Sequence, residues 1–485
     1  MKNPTLEWRR VRRLLVILGI AVAVTIVCLP NAGLSRAGIV RTPQFQVDDT
    51  LLRLYHPPAI ERAKAASISL VAVDVRSQDD LGYWQTWPPS YYANVIDSLT
   101  AAGARVIALD LPLAESAPDD GVLMAAVRAS GRVIEPVTSA GDPQTVAVRG
   151  GFPVYQQPIA PTTRLASSSG RLALISVEQG DDGVVRNEPL AGWIDGRLYP
   201  SISLAAASLY LQRPDPLEHS VTHGVLPFAG RDIPIDDRGN MLIHYLGPPS
   251  RLEANPSKRT FPWNSFVDVL QGRADPAAFR DKIVFVGVYG SSGYAGSDWT
   301  PTSTTSSGKM DAVEIHANAT ATILSGGLSS REAIFLTRQD DRSTAVIVAS
   351  LSLLTALAVW ILPTWRAGIL SLLLLTGYNL IMARLWWSQG VAPNLVLPSI
   401  AVIGSYTLSV AYRVIFDERD QILARRALDA YLAPAVMDTV LANPNSLALG
   451  GERREMTVLF SDLREFTSLS ERLDANALEE ILTAY

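Results

Sequence analysis

The hydrophobic positions of this chain change their pattern twice. Near the N-terminus and again after position 342 they form long unbroken runs; between these they come as short clusters bounded by turn residues. Four runs stand out. Residues 14–29 follow Arg9, Arg10, Arg12 and Arg13. Sixteen residues is short for a bilayer span, and a basic lead before an apolar stretch also fits a secretory signal peptide. The only cleavage-like strings after it are NAG and SRAG, which favours an uncleaved anchor over 14–30. Residues 343–362 hold 20 positions without a charge, and at about 1.5 Å each they reach the thickness of a bilayer core. Residues 367–387 carry one charge, Arg384, near enough to the end to reach water. The fourth run, within 393–412, has Pro398 close to its start, where a helix accepts proline.

The arginines set the expected orientation. The basic N-terminus, residues 1–13, is cytoplasmic, which puts 31–342 outside. The turn at 364–366 is inside, the uncharged loop 388–394 is outside, and Arg413, Arg419, Arg425 and Arg426 are again inside. Trp8, Trp360, Trp365, Trp386 and Trp387 fall at the expected interfaces, as in an aromatic belt. Three such runs, back to back with tiny loops, argue against buried core helices. The expectation is a multi-pass protein of the cell (inner) membrane.

The segment 31–342 reads as alternating strands and helices. SISLVAVDV (67–75) is a buried strand ending in a carboxylate; YYANVIDSLTAA (91–102) has helical spacing through Val95, Ile96 and Leu99, with Gly103 as its stop. RVIALDL (105–111) is a second buried strand. A strand–helix–strand unit predicts a parallel pair in an α/β arrangement. KIVFVGV (282–288) is a further strand and VEIHANATATIL (313–324) a later helix.

Asp74 and Asp110 are then placed at the carboxyl ends of adjacent strands, the edge where open α/β sheets bind ligands. Two readings stand: a small-molecule or cation site, or two carboxylates that cap the turns after them, the commoner role. Gly287, Gly290, Gly293 and Gly296 have GxxG spacing, which fits a loop better than a phosphate cradle. Ser306 and Lys309 match SxxK without its companion motifs. Glu314 and His316, two apart, belong to different faces of a helix and make a poor metal pair. Nothing in this segment forms a catalytic set.

Composition sharpens this picture. Charged residues are 18% of the 485, below the usual share for soluble proteins, and mean hydropathy is +0.17. With 42 Lys+Arg against 47 Asp+Glu the net charge is −5, and no basic stripe appears, so no nucleic-acid partner is expected. The single cysteine, Cys28, excludes intrachain disulfides and cysteine-cluster zinc sites.

The string SLVAVDVRSQDDLGYWQTWPPSYYANVIDSLTAAGARVIALD resembles the opening of the second type of CHASE extracytoplasmic sensor domain. GDDGVVRNEPL, RLYPS and IDDRGNMLIHYLGP resemble its middle; FPWNSFVDVLQG, DKIVFVGVYG and AVEIHANATATIL resemble its end, with Ala312 where glycine is usual. The resemblance covers about 47–327 and implies sensing of an unknown extracytoplasmic stimulus, followed by a compact group of three spans.

After the last span, 413–451 reads as a signalling linker: helix formers through Ala430, a weak heptad (Ile415, Ile422, then Asp429), and breaks at Pro434 and 443–445. MTVLF (456–460) reads as a strand, then 464–472 and 475–485 as helical pieces, the second capped by Asp474. GGERREMTVLFSDLREFTSLSERLDANALEEILTAY resembles the opening of a class III nucleotide cyclase domain, from position 452. That resemblance implies an adenylate or guanylate cyclase: a homodimer that converts a nucleoside triphosphate, ATP rather than GTP by preference, to a cyclic nucleotide and pyrophosphate. Two magnesium (or manganese) ions serve the complete domain. Asp462 matches the first metal aspartate and the Leu463 backbone carbonyl an added metal contact; Phe466 and Thr467 match the turn that faces the phosphates. Glu465 stands where many relatives have glycine, and a carboxylate there repels a triphosphate unless it points away.

The second metal aspartate, the base-selecting pair and the transition-state arginine and asparagine have no match up to position 485, so no catalytic set is complete and this chain alone is expected not to turn over nucleotide. A rival is a non-catalytic transmembrane sensor or dimerisation protein. The expected fold is an α/β extracytoplasmic sensor domain, α-helical transmembrane spans and the start of an α+β cyclase domain.

Overall fold

The structure, a computed structural model, describes residues 4–30, 33–36, 39–54, 65–113, 119–139, 147–156, 158–159, 171–213, 217, 224–290, 299–302, 309–326, 335–418, 457 and 459–484. It divides into two compact units, Met1–Ala411 and Tyr412–Tyr485.

The first unit opens with helix α1 (Pro4–Val27) and helix α2 (Arg41–Leu54). A three-layer α/β domain follows. Its sheet is built from β1 (Ile68–Val73), β2 (Val106–Asp110), β3 (Val133–Ser139) and β4 (Leu172–Leu174). A small antiparallel sheet comes next, in which β5 (Val185–Pro189) stands between β6 (Asn240–Leu242) and the short strand Glu178–Gln179. The sheet is completed by β7 (Trp263–Ser265) and β8 (Ile283–Val288). Its order is β7–β1–β8–β2–β3, these five parallel, and β3 also pairs in parallel with β4 and antiparallel with a short seventh strand, Pro158–Ile159.

The helices cover both faces. They are α3 (Val75–Leu81), α4 (Pro89–Ala101), α5 (Asp120–Ser130), α6 (Ile202–Leu211), α7 (Phe266–Leu270) and α8 (Ala312–Gly326). Alternation along the strands sorts side chains between the layers. Ile68, Leu70, Val106, Ala108, Ile283 and Phe285 pack with α6 and α8. Val71, Val73, Ile107, Leu109, Val284 and Val286 pack with α4, α5 and α7. Both sets are apolar because both faces are buried, so these strands read as continuous hydrophobic runs. α4 begins at Pro89, where its missing N–H costs nothing, and buries Tyr92, Val95, Ile96 and Leu99.

One expectation is corrected. β1 and β2 are not neighbours: β8 lies between them, in register with β1 from Ile68↔Ile283 and with β2 from Ile283↔Val106. IVFVGV is apolar toward both faces, so it is most stable where both faces and both edges are covered. Pairing strands by chain order misses a strand that arrives so late. Gly287 on β8 allows the close approach of α8: a Cβ there would lie 2.8 Å from the Val313 Cβ and 3.2 Å from that of Asp110.

Three helices are long and apolar enough to cross a membrane: α9 (Asp341–Ile361), α10 (Thr364–Gln389) and α11 (Val396–Arg413). Asp340 caps α9 by accepting from the Ser343 N–H at 2.9 Å. Gly390, at φ +67°, ends α10. α1 packs along α9, and its Val24, with Cys28 just after its end, shares an apolar cluster with Val348, Leu397 and Ala401. Trp8, Trp360, Trp365 and Trp387 are exposed on these helices, as a belt requires, but Trp386 is wholly buried.

In the second unit the helical winding loosens to a π-turn over Val414–Glu418. The expected heptad positions Ile422 and Asp429, Pro434, and residues 443–445 lie outside the described residues, as do Arg419, Arg425, Arg426, Gly293, Gly296 and Ser306. The strand expected at 456–460 is not found: Thr457, Leu459 and Phe460 belong to no strand, and Leu459 and Phe460 are 88% and 90% exposed. A strand needs a neighbour to accept its hydrogen bonds, and none is among the described residues. Two helices do form, α12 (Phe466–Ser470) and α13 (Ala475–Ala484), neither with a buried residue. The Asp474 side chain caps α13 as expected, accepting from the Ala477 N–H at 2.8 Å.

Candidate functional site

The sequence of α8 alternates polar and apolar residues, a strand-like pattern, yet it forms a helix buried on every side. Steps of two residues spread polar groups around a helix, so each must find a buried partner. Glu314, Asn318 and Thr322, at i, i+4 and i+8, form one stripe. Glu314 accepts from the Ser250 N–H at 2.9 Å, Asn318 Oδ1 from the Leu246 N–H at 3.0 Å, and Thr322 Oγ1 from the His244 N–H at 3.1 Å. The stripe thus holds the extended chain after β6 as a neighbouring strand would. Glu314 also accepts from Ser250 Oγ at 2.6 Å and Tyr289 Oη at 3.0 Å. Burial pushes its carboxyl up to about 7 despite the bonds from Ser250 and Tyr289.

His316 faces elsewhere, as a two-residue offset demands. Its Nδ1 lies 3.2 Å from Glu188 Oε1, its Nε2 3.2 Å from the Ile175 carbonyl and 4.0 Å from Asp110 Oδ1. Both ring nitrogens meet acceptors only, so the imidazolium satisfies both. Burial opposes that charge, but the carboxylates of Glu188 and Asp110 outweigh it and hold the ring at about 9. Ser203 on α6 donates to the same Glu188 at 2.8 Å. Glu188, Ser203 and His316 are inaccessible to solvent, which suits a structural network and not a reacting one.

Asp74 and Asp110 do not converge. Asp74 is the N-cap of α3, accepting from the Ser77 N–H at 2.9 Å and from Ser265 Oγ at 2.8 Å. Asp110, one strand further than expected, turns toward His316. Gly290, at φ +67°, donates its N–H to Asp311 Oδ1 at 2.9 Å in the loop after β8.

A densely bonded polar site joins this domain to the three long apolar helices. Arg186 on β5, 3% exposed, grips Asp49 of α2 with two bonds of 2.7 Å and Asp182 with bonds of 2.9 and 2.8 Å. Its guanidinium stacks 4.6 Å over the Phe45 ring. Burial works against the charge, yet Asp182 and Asp49 push the guanidinium above its usual range. Further along α2, Arg338 pairs with Asp48 at 3.1 Å and Arg41 with Asp181. Gln44 then reaches the helices themselves. Its Nε2 donates to the Pro393 carbonyl at 2.9 Å, and its Oε1 accepts from the Leu395 and Val396 N–H groups at 3.2 and 3.3 Å, the first turn of α11.

Two more features close this junction. Thr337–Arg338 pairs in parallel with Val391–Ala392, so the domain's exit is hydrogen-bonded to the loop between α10 and α11. Leu52, Leu242, Leu336, Trp386 and Ala392, from five separate segments, form one apolar cluster around the buried indole. Sequence reading missed Arg186, Asp49 and Gln44. The available signal was Arg186 itself, a lone cation in the strand VRNEP, where burial demands carboxylates.

In the second unit Asp462 is exposed and its Oδ1 accepts the Leu463 N–H at 2.9 Å. Phe466 and Thr467 open α12, and Glu465 before them has φ +59°, ψ +28°, the left-handed conformation that favours glycine. The glycine expected there thus has a backbone reason. Carboxylate and carbonyl oxygens suit magnesium in kind, but the ion needs near-octahedral coordination, and no group of three His, Cys, Asp or Glu among the described residues could hold a metal.

A mainly parallel sheet covered on both faces, with both ends of its domain hydrogen-bonded to the region of three helices long and apolar enough to cross a membrane, defines an α/β domain joined to such helices. The CHASE2 domain model matches residues 20–362, and the chain belongs to that family, whose domain is an extracytoplasmic sensor typical of signal transduction proteins. No curated protein and no solved structure matches the chain.

Proposed function

We propose that this protein is a multi-pass receptor of the cell membrane whose outer CHASE2 domain controls a cytoplasmic nucleotide cyclase output, with the receptor working as a homodimer. The observation that carries the sensing part is the junction: Arg186 fixes α2 to the domain while Gln44 of the same helix caps α11. A shift of β5 therefore reaches α11 through one rigid element. In this reading α1 is a retained anchor, supported by its packing on α9, and 31–342 is outside with the C-terminus inside.

The cyclase part rests on the motif around Asp462. In the complete site Asp462 and the Leu463 carbonyl contribute two of the oxygens that hold magnesium or manganese, Phe466 and Thr467 face the phosphates, and ATP is the preferred substrate. The second reading, a non-catalytic sensor or dimerisation protein, is favoured by the exposed strand-less segment Leu459–Asp462 and the lack of buried residues in α12 and α13. Cyclic AMP and cyclic GMP production by membranes that carry this chain tests the cyclase part. The chain by itself is expected to make neither; product that is lost in Asp462→Ala, with insertion intact, supports the cyclase and means that further residues complete the site, and product unchanged in that variant overturns the metal assignment.

A further inference from the structure

We infer that the cleft between α6 and the β3–β4 edge binds a small soluble organic anion, a carboxylate or phosphate carried on an apolar body. The cavity has a volume of about 290 Å³, close to the lower end for small-molecule sites. Its wall is apolar, with Ile134 of β3, Leu172 of β4, Leu198 and, from α6, Leu209. Its charged lining is cationic: Arg171, Arg197 and Arg213 border it beside the neutral Tyr199 and Ser208, and no acidic residue among the described ones does.

Several arginines of this domain are matched by carboxylates, while Arg105, Arg149 and Arg259, like Arg197, lie over aromatic rings. Arg186, Arg238, Arg251 and Arg338 each lie against a carboxylate. Arg197 and Arg213 have no ion pair among the described residues and border the cavity instead. The Arg197 guanidinium sits 5.1 Å over the Tyr199 ring, which limits its freedom without consuming its in-plane donors. Arg171 donates to the Gly131 carbonyl at 3.0 Å, which holds it at the rim of the cleft. Cations converging on an apolar concavity repel one another, and an anion with an apolar body relieves that repulsion while filling the floor. A bare inorganic anion would leave the floor wet; a neutral apolar molecule would leave the charges unmatched.

The site is also wired to the junction. Its wall α6 carries Ser203, which bonds Glu188 on β5, two residues from Arg186. As a stimulus site the cleft rests on the sensor reading above, but binding itself does not, and calorimetry reads it without any output.

The test is isothermal titration calorimetry on the full chain in nanodiscs of zwitterionic lipid, with benzoate and phenylphosphate as probes and benzamide and inorganic phosphate as controls. The expected result is saturable binding of both probes, stronger than either control. Arg197→Gln and Arg213→Gln, both at exposed positions, should each weaken it about tenfold. Leu209→Trp, which fills the floor and keeps every charge, should abolish it. The assignment is overturned if neither probe binds at millimolar concentration, if benzamide binds as well as benzoate, or if the two arginine variants bind like the wild type. Displacement of the probes by discs of phosphatidylglycerol would place a lipid headgroup in the cleft and overturn the soluble ligand.

Discussion

His316 and Glu314 give the sensor domain a pH signature. The His316 ring has its proton held to about 9, against an ordinary 6.5, by Glu188 and Asp110 in spite of burial. A raised folded value means that the native state binds the proton more tightly than the unfolded one. Its contribution is therefore complete below 6.5 and lost as pH rises through about 9. Glu314, pushed up to about 7 by burial, acts in the same direction over 4.5 to 7. Stability of the domain should thus fall steadily from about pH 5 to pH 9. In His316→Gln the limb above 6.5 should vanish and stability at neutral pH should drop by about 3 kcal/mol, because Glu188 is left buried without its counter-charge. Denaturant unfolding followed at several pH values checks both; a wild-type curve flat from 6.5 to 9 would contradict the imidazolium assignment. At this scale the sequence showed which residues carry chemistry but not which of them meet. Glu314 and His316 were separable by their spacing alone, whereas Glu188 lies 128 positions from His316 and no local pattern links them.

The elements that matter most for coupling are among the plainest in sequence. α2 is a short polar helix, and only its three-dimensional setting shows that Asp49 and Gln44 of one helix face two different bodies of structure. The strands and helices of the α/β domain were legible because burial on both faces leaves continuous apolar runs and because Gly103 and the proline at α4 mark the ends. The order of the strands was not, since β8 enters the sheet between two strands that precede it by more than a hundred positions. Trp386 makes the same point. A tryptophan at the end of a span reads as an interfacial anchor, but here the indole is enclosed by Leu52, Leu242, Leu336 and Ala392. Trp386→Ala should therefore destabilise the junction by about 3–5 kcal/mol, while the same change at the exposed Trp387 should cost less than about 1 kcal/mol. Thermal unfolding of the two variants in nanodiscs checks this; equal losses would return Trp386 to the lipid belt.

At the scale of the whole molecule, the chain places its sensing domain between α1 and α9 and fastens the domain at each end. α2 follows α1 and is held by Arg186; Leu336 and the Thr337–Arg338 bridge precede α9 and are held by the α10–α11 loop. Such a domain cannot shift without moving the helix ends, which is the physical requirement for a stimulus on one side of a membrane to be felt on the other. The three helices long and apolar enough to cross a membrane were legible as long apolar runs; the fastening was not, because it depends on pairs such as Gln44 with Leu395 that are 351 positions apart.

Hydrogen–deuterium exchange of the full chain in nanodiscs, with and without Asp49→Asn, tests that fastening most directly. The substitution weakens the grip of Arg186 on α2 and leaves Gln44 untouched. If α2 is the rigid link, protection should fall together at 41–54 and at the first turn of α11, residues 395–398, while the central strands β1 and β8 keep theirs. Faster exchange confined to 41–54, with the start of α11 unchanged, would contradict coupling through this helix.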